Sequence, residues 1–139
     1  MSYQQPPPYQ PQPPMGMLHL TLQGSAFTGT LTPPTVRLNG YPVRVKYGRN
    51  DIPVYAGPLR VDVHSQWMRE FGRAALEFTV LPGQGVPVFY ASPYHQFASE
   101  GSIGHSQVKR KGLGVLLALV GLIVTASVVS ILLAVLSSL

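Results

Sequence analysis

The sequence predicts a mainly β protein, a small antiparallel β-sandwich preceded by a disordered Pro-rich N-terminal tail and followed by one C-terminal transmembrane α-helix. Three observations carry this. Short runs of alternating apolar and polar residues recur at roughly ten-residue spacing between Gly- and Pro-containing turns, the pattern of a sandwich or partly open barrel. Residues 1–14 read MSYQQPPPYQPQPP, with no charge and nothing aliphatic to bury. Residues 112–139 contain no charged side chain. The divisions expected are a disordered Pro/Gln/Tyr-rich tail over 1–16, a β-sandwich over 17–91, a juxtamembrane linker with a basic cluster over 92–111 and the helix over 112–139.

The tail should be extended with polyproline II character, and Pro8 to Pro11 and Pro11 to Pro14 have the PxxP spacing that aromatic grooves accept. A reader of Pro-rich motifs is therefore one candidate partner, and a solvated entropic tail is the plainer alternative. The tail lacks the basic start and apolar centre of a signal peptide.

From Met17 the period changes to two: Leu18, Leu20 and Leu22 alternate with His19 and Thr21, as in a half-buried strand. A polar stretch over 24–34 follows, in which Phe27 and Leu31 are the expected inward residues. Next, Val36-Arg37-Leu38 and Tyr41 to Tyr47 flank Asn39-Gly40, the preferred hairpin turn because both central residues must take positive φ. Pro42 cannot donate to a ladder, so its strand begins at a sheet edge or pairs only beyond Pro42. Further strands are expected at 51–55, 59–65, 76–80 and 86–90. Turns fall at Ala56-Gly57-Pro58 and Pro82-Gly83-Gln84-Gly85; Trp67, Met68 and Phe71 could form one helical turn with an apolar face, but a loop or hairpin end closed by Gly72 is the preferred reading.

The runs VRLNGYPV, IPVYAGPLRVDV and LEFTVLPGQGVPVFY resemble PEGA-type and related carbohydrate-binding-like or prealbumin-like β-domains, in which an Asn-Gly turn leads through a Gly-Pro turn to a valine-alternating strand. No Gly-Tyr pair follows that strand here; Gln66-Trp67-Met68 stands instead. The whole layout is similar to small actinobacterial single-pass membrane proteins with a Pro/Gln/Tyr-rich head. Neither resemblance implies an activity or transfers a site residue.

Residues 92–111 are polar and rich in small residues, with Tyr94, His95 and Phe97 near the start. These three form a possible partner contact, and they could equally cover the end of the sandwich or touch the bilayer interface, where aromatic rings are favoured. Lys109, Arg110 and Lys111 stand directly before the apolar stretch and form the expected membrane-surface cluster, with added attraction to anionic lipid. No cation follows the stretch, so the positive-inside rule places the β-domain in the cytoplasm of a cell whose plasma membrane the helix crosses once. The 24 residues 113–136 make about 36 Å of helix, enough to span a bilayer core. Within it, Gly114, Ala118, Ala126, Ser130 and Ala134 fall on a four-residue repeat interrupted only by Leu122, a spacing that lets helices approach closely and suits self-association or a membrane-protein partner.

Chemistry is scarce. Cysteine is absent, which excludes disulfides, thiolate metal sites and cysteine nucleophiles. Phosphate-loop, dinucleotide, serine-elbow and zinc-protease motifs are all missing. Asp62 and His64 share a strand face, but two ligands do not make a metal site, and His19, His95 or Glu77 would have to converge on them. No cofactor is expected. Net charge is +5, much of it in the one basic cluster, which argues against nucleic acid as a partner. The expected function is a membrane-anchored, non-enzymatic binding or adaptor module, as an accessory subunit of a larger membrane complex. A membrane-surface hydrolase or metal-dependent enzyme and an anionic-lipid sensor are the alternatives. Convergence of Asp62, His64 and another histidine in a pocket would favour the enzyme; a filled core with an exposed edge strand would favour the module.

Overall fold

The computed structural model describes residues 3–4 and 13–139. The tail expected over 1–16, with its PxxP spacings, lies mostly outside the described residues. Among these, eight strands precede one helix: β1 (Met15–Gln23), β2 (Thr35–Leu38), β3 (Tyr41–Val43), β4 (Gly48–Tyr55), β5 (Gly57–Gln66), β6 (Glu70–Val80), β7 (Gly85–Ala91), β8 (Ser102–Gly104) and α1 (Leu113–Ser138). The strands form two four-stranded sheets, ordered β4-β1-β7-β8 and β3-β2-β5-β6. All pairings between these strands are antiparallel except β1 with β7, which run parallel with Leu18 opposite Val86 and Leu22 opposite Tyr90.

Period-two patterning builds the core directly. Leu18, Leu20 and Leu22 of β1 and Val86, Val88 and Tyr90 of β7 face Val36 of β2, Leu59, Val61 and Val63 of β5 and Val80 of β6, all buried. Asn39 and Gly40 take φ of 49° and 85°, as the hairpin turn requires, and Arg37 opposite Pro42 puts that proline on an edge strand. The second strand of this hairpin is shorter than the alternation to Tyr47 suggested. Beyond Val43 the chain leaves the sheet, and the Tyr47 hydroxyl donates to the Thr30 carbonyl at 2.7 Å, pinning the 24–34 loop.

Three expectations are corrected. Phe27 and Leu31 do not point inward: both side chains are exposed on that loop. Gly72 does not close a turn; it sits inside β6 at φ 61°, and Phe71 beside it is buried. The register of β6 against β5 slips there, with Ala74 opposite Val63 but Phe71 opposite Ser65, so β6 carries an extra residue with glycine in the left-handed region, a β-bulge. The third correction follows from the second. The bulge turns the Gly72 and Arg73 amides outward, where they donate to the carbonyls of Ala98 and Ser99 at 3.0 and 2.8 Å. The supposed linker is thus folded onto the domain, bridging β6 to β7 through β8 and closing one side of the sandwich.

This closure needs close backbone approach. A Cβ on Gly101 would lie 2.6 Å from the Gly72 carbonyl oxygen and 2.7 Å from the Tyr90 ring, and one on Gly72 would meet Pro93 at 2.6 Å. Between them the Tyr90 hydroxyl donates to the Gly72 carbonyl at 2.6 Å and lies 3.1 Å from the Ser65 hydroxyl, which in turn bonds Ser92. Burial pushes the Tyr90 phenol above its ordinary ionisation range.

Helix α1 is apolar on every side and no residue of it is buried by the rest of the chain. It is long and apolar enough to cross a membrane, with a mean hydropathy of 2.8.

Candidate functional site at the base of the helix

The C-terminal ends of β1, β5 and β7, the 24–34 loop and the 92–97 segment converge at the end of the sandwich from which α1 departs. Four contacts tie the chain down just before the helix. The Gln23 side-chain amide donates to the Val108 carbonyl at 3.0 Å and accepts from its amide at 2.9 Å, imitating a strand pair. The Arg110 guanidinium donates to the carbonyls of Ser92 and Pro93 at 2.9 and 3.1 Å and lies 4.3 Å over the Tyr94 ring. The Tyr94 amide donates to the Lys111 carbonyl at 2.9 Å, and Lys111 Nζ donates to Glu100 at 3.3 Å. Gly112 then turns at φ 86°, and the space a Cβ would need is filled by the His95 imidazole, 2.7 Å away.

The basic cluster therefore divides. Arg110 is a structural residue turned into the domain, Lys111 is shared with Glu100, and Lys109 is exposed. Consecutive cations in a sequence look alike; only the carbonyls of Ser92 and Pro93 single out the middle one, and a planar guanidinium is the group suited to bond two carbonyls and stack on a ring.

Beside this junction opens a cleft of about 460 Å³, lined by Leu31, Trp67, Phe71, Tyr94, Phe97 and Arg110 among others. That volume falls in the range of small-ligand and peptide sites, roughly 300–1,000 Å³. The expected partner-contact residues meet here: Tyr94 under Arg110, with His95 and Phe97 also in the lining and their rings 6.1 Å apart. Both ring nitrogens of His95 and Oε1 of Gln96 are buried with no hydrogen-bond partner among the described residues. Such buried atoms normally find one. Trp67 and Leu31 also belong to the cleft, and sequence reasoning missed them, since nothing local joins a hairpin tip to a loop some 35 residues earlier.

The metal candidates do not converge. Asp62 pairs with Arg60 at 3.0 Å, and Arg60 also holds Glu77 at 2.7 Å. His64, two residues along β5 from Asp62, lies 3.7 Å from Glu70. His19 is on the other sheet, 2.6 Å from Asp51, whose carboxylate also accepts from Arg49 at 2.9 Å. The His19 hydrogen bond first and Arg49 second hold Asp51 below the usual carboxylate range. No group of three metal-binding side chains occurs among the described residues.

The helix-association residues lie along α1, all exposed. At about 100° per residue, Ala126, Ser130 and Ala134 stay within about 80° of one another, while Gly114 is turned about 120° from Ala126. The Ser130 hydroxyl donates to the Ala126 carbonyl at 2.8 Å, so its polarity is absorbed inside the helix.

The chain matches no known protein family, no curated protein and no solved structure. Its functional reading rests on its own geometry.

Proposed function

We propose that this chain is a single-pass membrane protein whose β-domain is a non-enzymatic binding or adaptor module, held tightly against the membrane and serving as an accessory subunit of a larger membrane complex. The observation that carries this is α1: a helix apolar all round is stable only inside a large core or in lipid, and none of the described residues buries it. The clasp from Gln23, Arg110 and Lys111 supports a domain fixed at the membrane rather than trailing on a flexible linker. In this reading the cleft with His95 and Gln96 takes a segment of the partner, and the face of Ala126, Ser130 and Ala134 takes its helix. The filled sandwich core and the exposed edge strand β3 favour a module over an enzyme, as does the engagement of Asp62 and His64 with other groups. The β-domain faces the cytoplasm of a plasma-membrane protein, since all three cations precede the span.

In-cell crosslinking followed by purification in mild detergent and mass spectrometry tests the reading. Three chains are compared: the native one, one with α1 replaced by an unrelated apolar span, and one carrying His95→Ala with Phe97→Ala. A defined membrane partner that is lost in either variant is the expected result. Recovery of the chain with lipid alone would overturn the adaptor reading.

A further inference from the structure

Five large apolar side chains stand out from the α1 end of the sandwich. Phe27 is 99% exposed, Leu31 84%, Met68 85%, Phe97 64% and Trp67 54%. They come from three separate segments, the 24–34 loop, the β5–β6 tip and the 92–97 stretch. Leu31, Trp67 and Phe97 rim the cleft, and Phe27 and Met68 adjoin its lining residues in the chain. A single exposed apolar residue needs no explanation; five from three segments, three of them rimming one opening and two adjoining it in the chain, do.

Two further observations say what covers this rim. The rim cannot move far from the base of α1, because the 92–97 segment is bonded to Arg110 and Lys111 and packs against Gly112. Any membrane that α1 enters is therefore within a few residues of the rim. Exposed cations also adjoin these segments in the chain: Arg69 follows Met68 and Lys109 precedes Arg110, whereas Glu70 and Glu100 are paired with Arg73 at 2.6 Å and Lys111 at 3.3 Å. Aromatic and aliphatic side chains with adjoining exposed cations are the composition of a surface that lies in the headgroup region of an anionic membrane.

We propose that this end of the sandwich is itself seated in the bilayer, with Phe27, Leu31, Trp67, Met68 and Phe97 entering the interface of a membrane that bears anionic lipid. The proposal rests on α1 crossing that same membrane. It turns the cleft toward the lipid boundary, so that whatever enters it arrives along the membrane and not from bulk solution.

Trp67 is the one tryptophan of the chain and stands in the rim, so its fluorescence reports the seating directly. The full chain is reconstituted into phosphatidylcholine vesicles with phosphatidylglycerol as the minority lipid, with and without bromine near the carbonyl end of the acyl chains. Resistance to alkaline carbonate extraction is measured on the same vesicles. The expected result is Trp67 emission at least halved by brominated lipid and scarcely affected by aqueous acrylamide, in a chain that stays embedded. Strong acrylamide quenching without bromolipid quenching, in an embedded chain, would overturn the seating and leave the anchor reading intact. Extraction by carbonate would overturn the anchor reading and the seating with it. Shielding from both quenchers would place the rim against a second copy of the protein and would also overturn the proposal. A Phe27→Ser, Leu31→Ser, Met68→Ser chain alters only exposed positions; it should remain embedded while bromolipid quenching falls and acrylamide quenching rises. Quenching equal to that of the parent would show that the rim does not drive the seating.

Discussion

Two residues show how polar groups are handled in this small core. The Tyr90 hydroxyl satisfies the Gly72 carbonyl that the bulge in β6 leaves unpaired, and it does so where neither solvent nor another donor can reach. Tyr90→Phe should cost about 1–3 kcal/mol, because the buried Gly72 carbonyl loses its partner with no gain in packing, while the Ser65 hydroxyl keeps Ser92. Urea unfolding of the detergent-solubilised chain, followed by Trp67 emission, measures this, and an unchanged midpoint would show the hydroxyl to be idle. Asp51 is the opposite case, an exposed carboxylate whose ionised form is favoured by His19 and then Arg49. A lowered folded value means stability that is present above the unfolded value of about 3.9 and is lost as pH falls through the lowered one. The urea midpoint should thus decline below about pH 4, and Asp51→Asn should lower the midpoint at neutral pH while flattening that decline.

At the scale of elements, the segment joining β8 to α1 is held by side chains more than by a ladder. Arg110→Lys keeps the charge but loses the planar fork that bonds Ser92 and Pro93 and stacks on Tyr94. Amide hydrogen exchange over 108–112 should quicken by roughly tenfold or more while the β1 and β5 amides stay protected. Equal protection in both chains would mean that Gln23, the Tyr94 amide and the Lys111–Glu100 pair fix the junction without Arg110. For the helix, Ala126, Ser130 and Ala134 changed together to Leu should reduce a membrane two-hybrid signal severalfold, since larger side chains on one face keep helices apart. The same triple change leaves every contact of the β-domain untouched.

The molecule as a whole couples a filled sandwich to an uncovered apolar helix through a short rigid clasp, and its orientation is directly testable. The absence of cysteine gives a clean background for labelling. With the β-domain cytoplasmic, Ser138→Cys should react with an impermeant maleimide on intact cells, and Ser106→Cys only after permeabilisation. The reverse pattern would place the β-domain outside and require a different partner compartment.

What could be read without coordinates is what depends on neighbours along the chain. The leucines of β1, the valines of β5, the Asn39-Gly40 turn and the uncharged run of α1 each announce themselves within ten to thirty residues, because backbone periodicity and turn stereochemistry are local. The tertiary structure decided the rest. The parallel pairing of β1 with β7, the bulge at Gly72, the folding of 98–104 onto two strands and the inward turn of Arg110 all join segments far apart in sequence. The cleft and its rim have the same origin, since Leu31, Trp67 and Phe97 share no pattern until the sandwich brings their loops to one end. Local sequence specifies which elements form, but which residues meet between them depends on long-range burial and hydrogen-bond satisfaction, which no single window of residues contains.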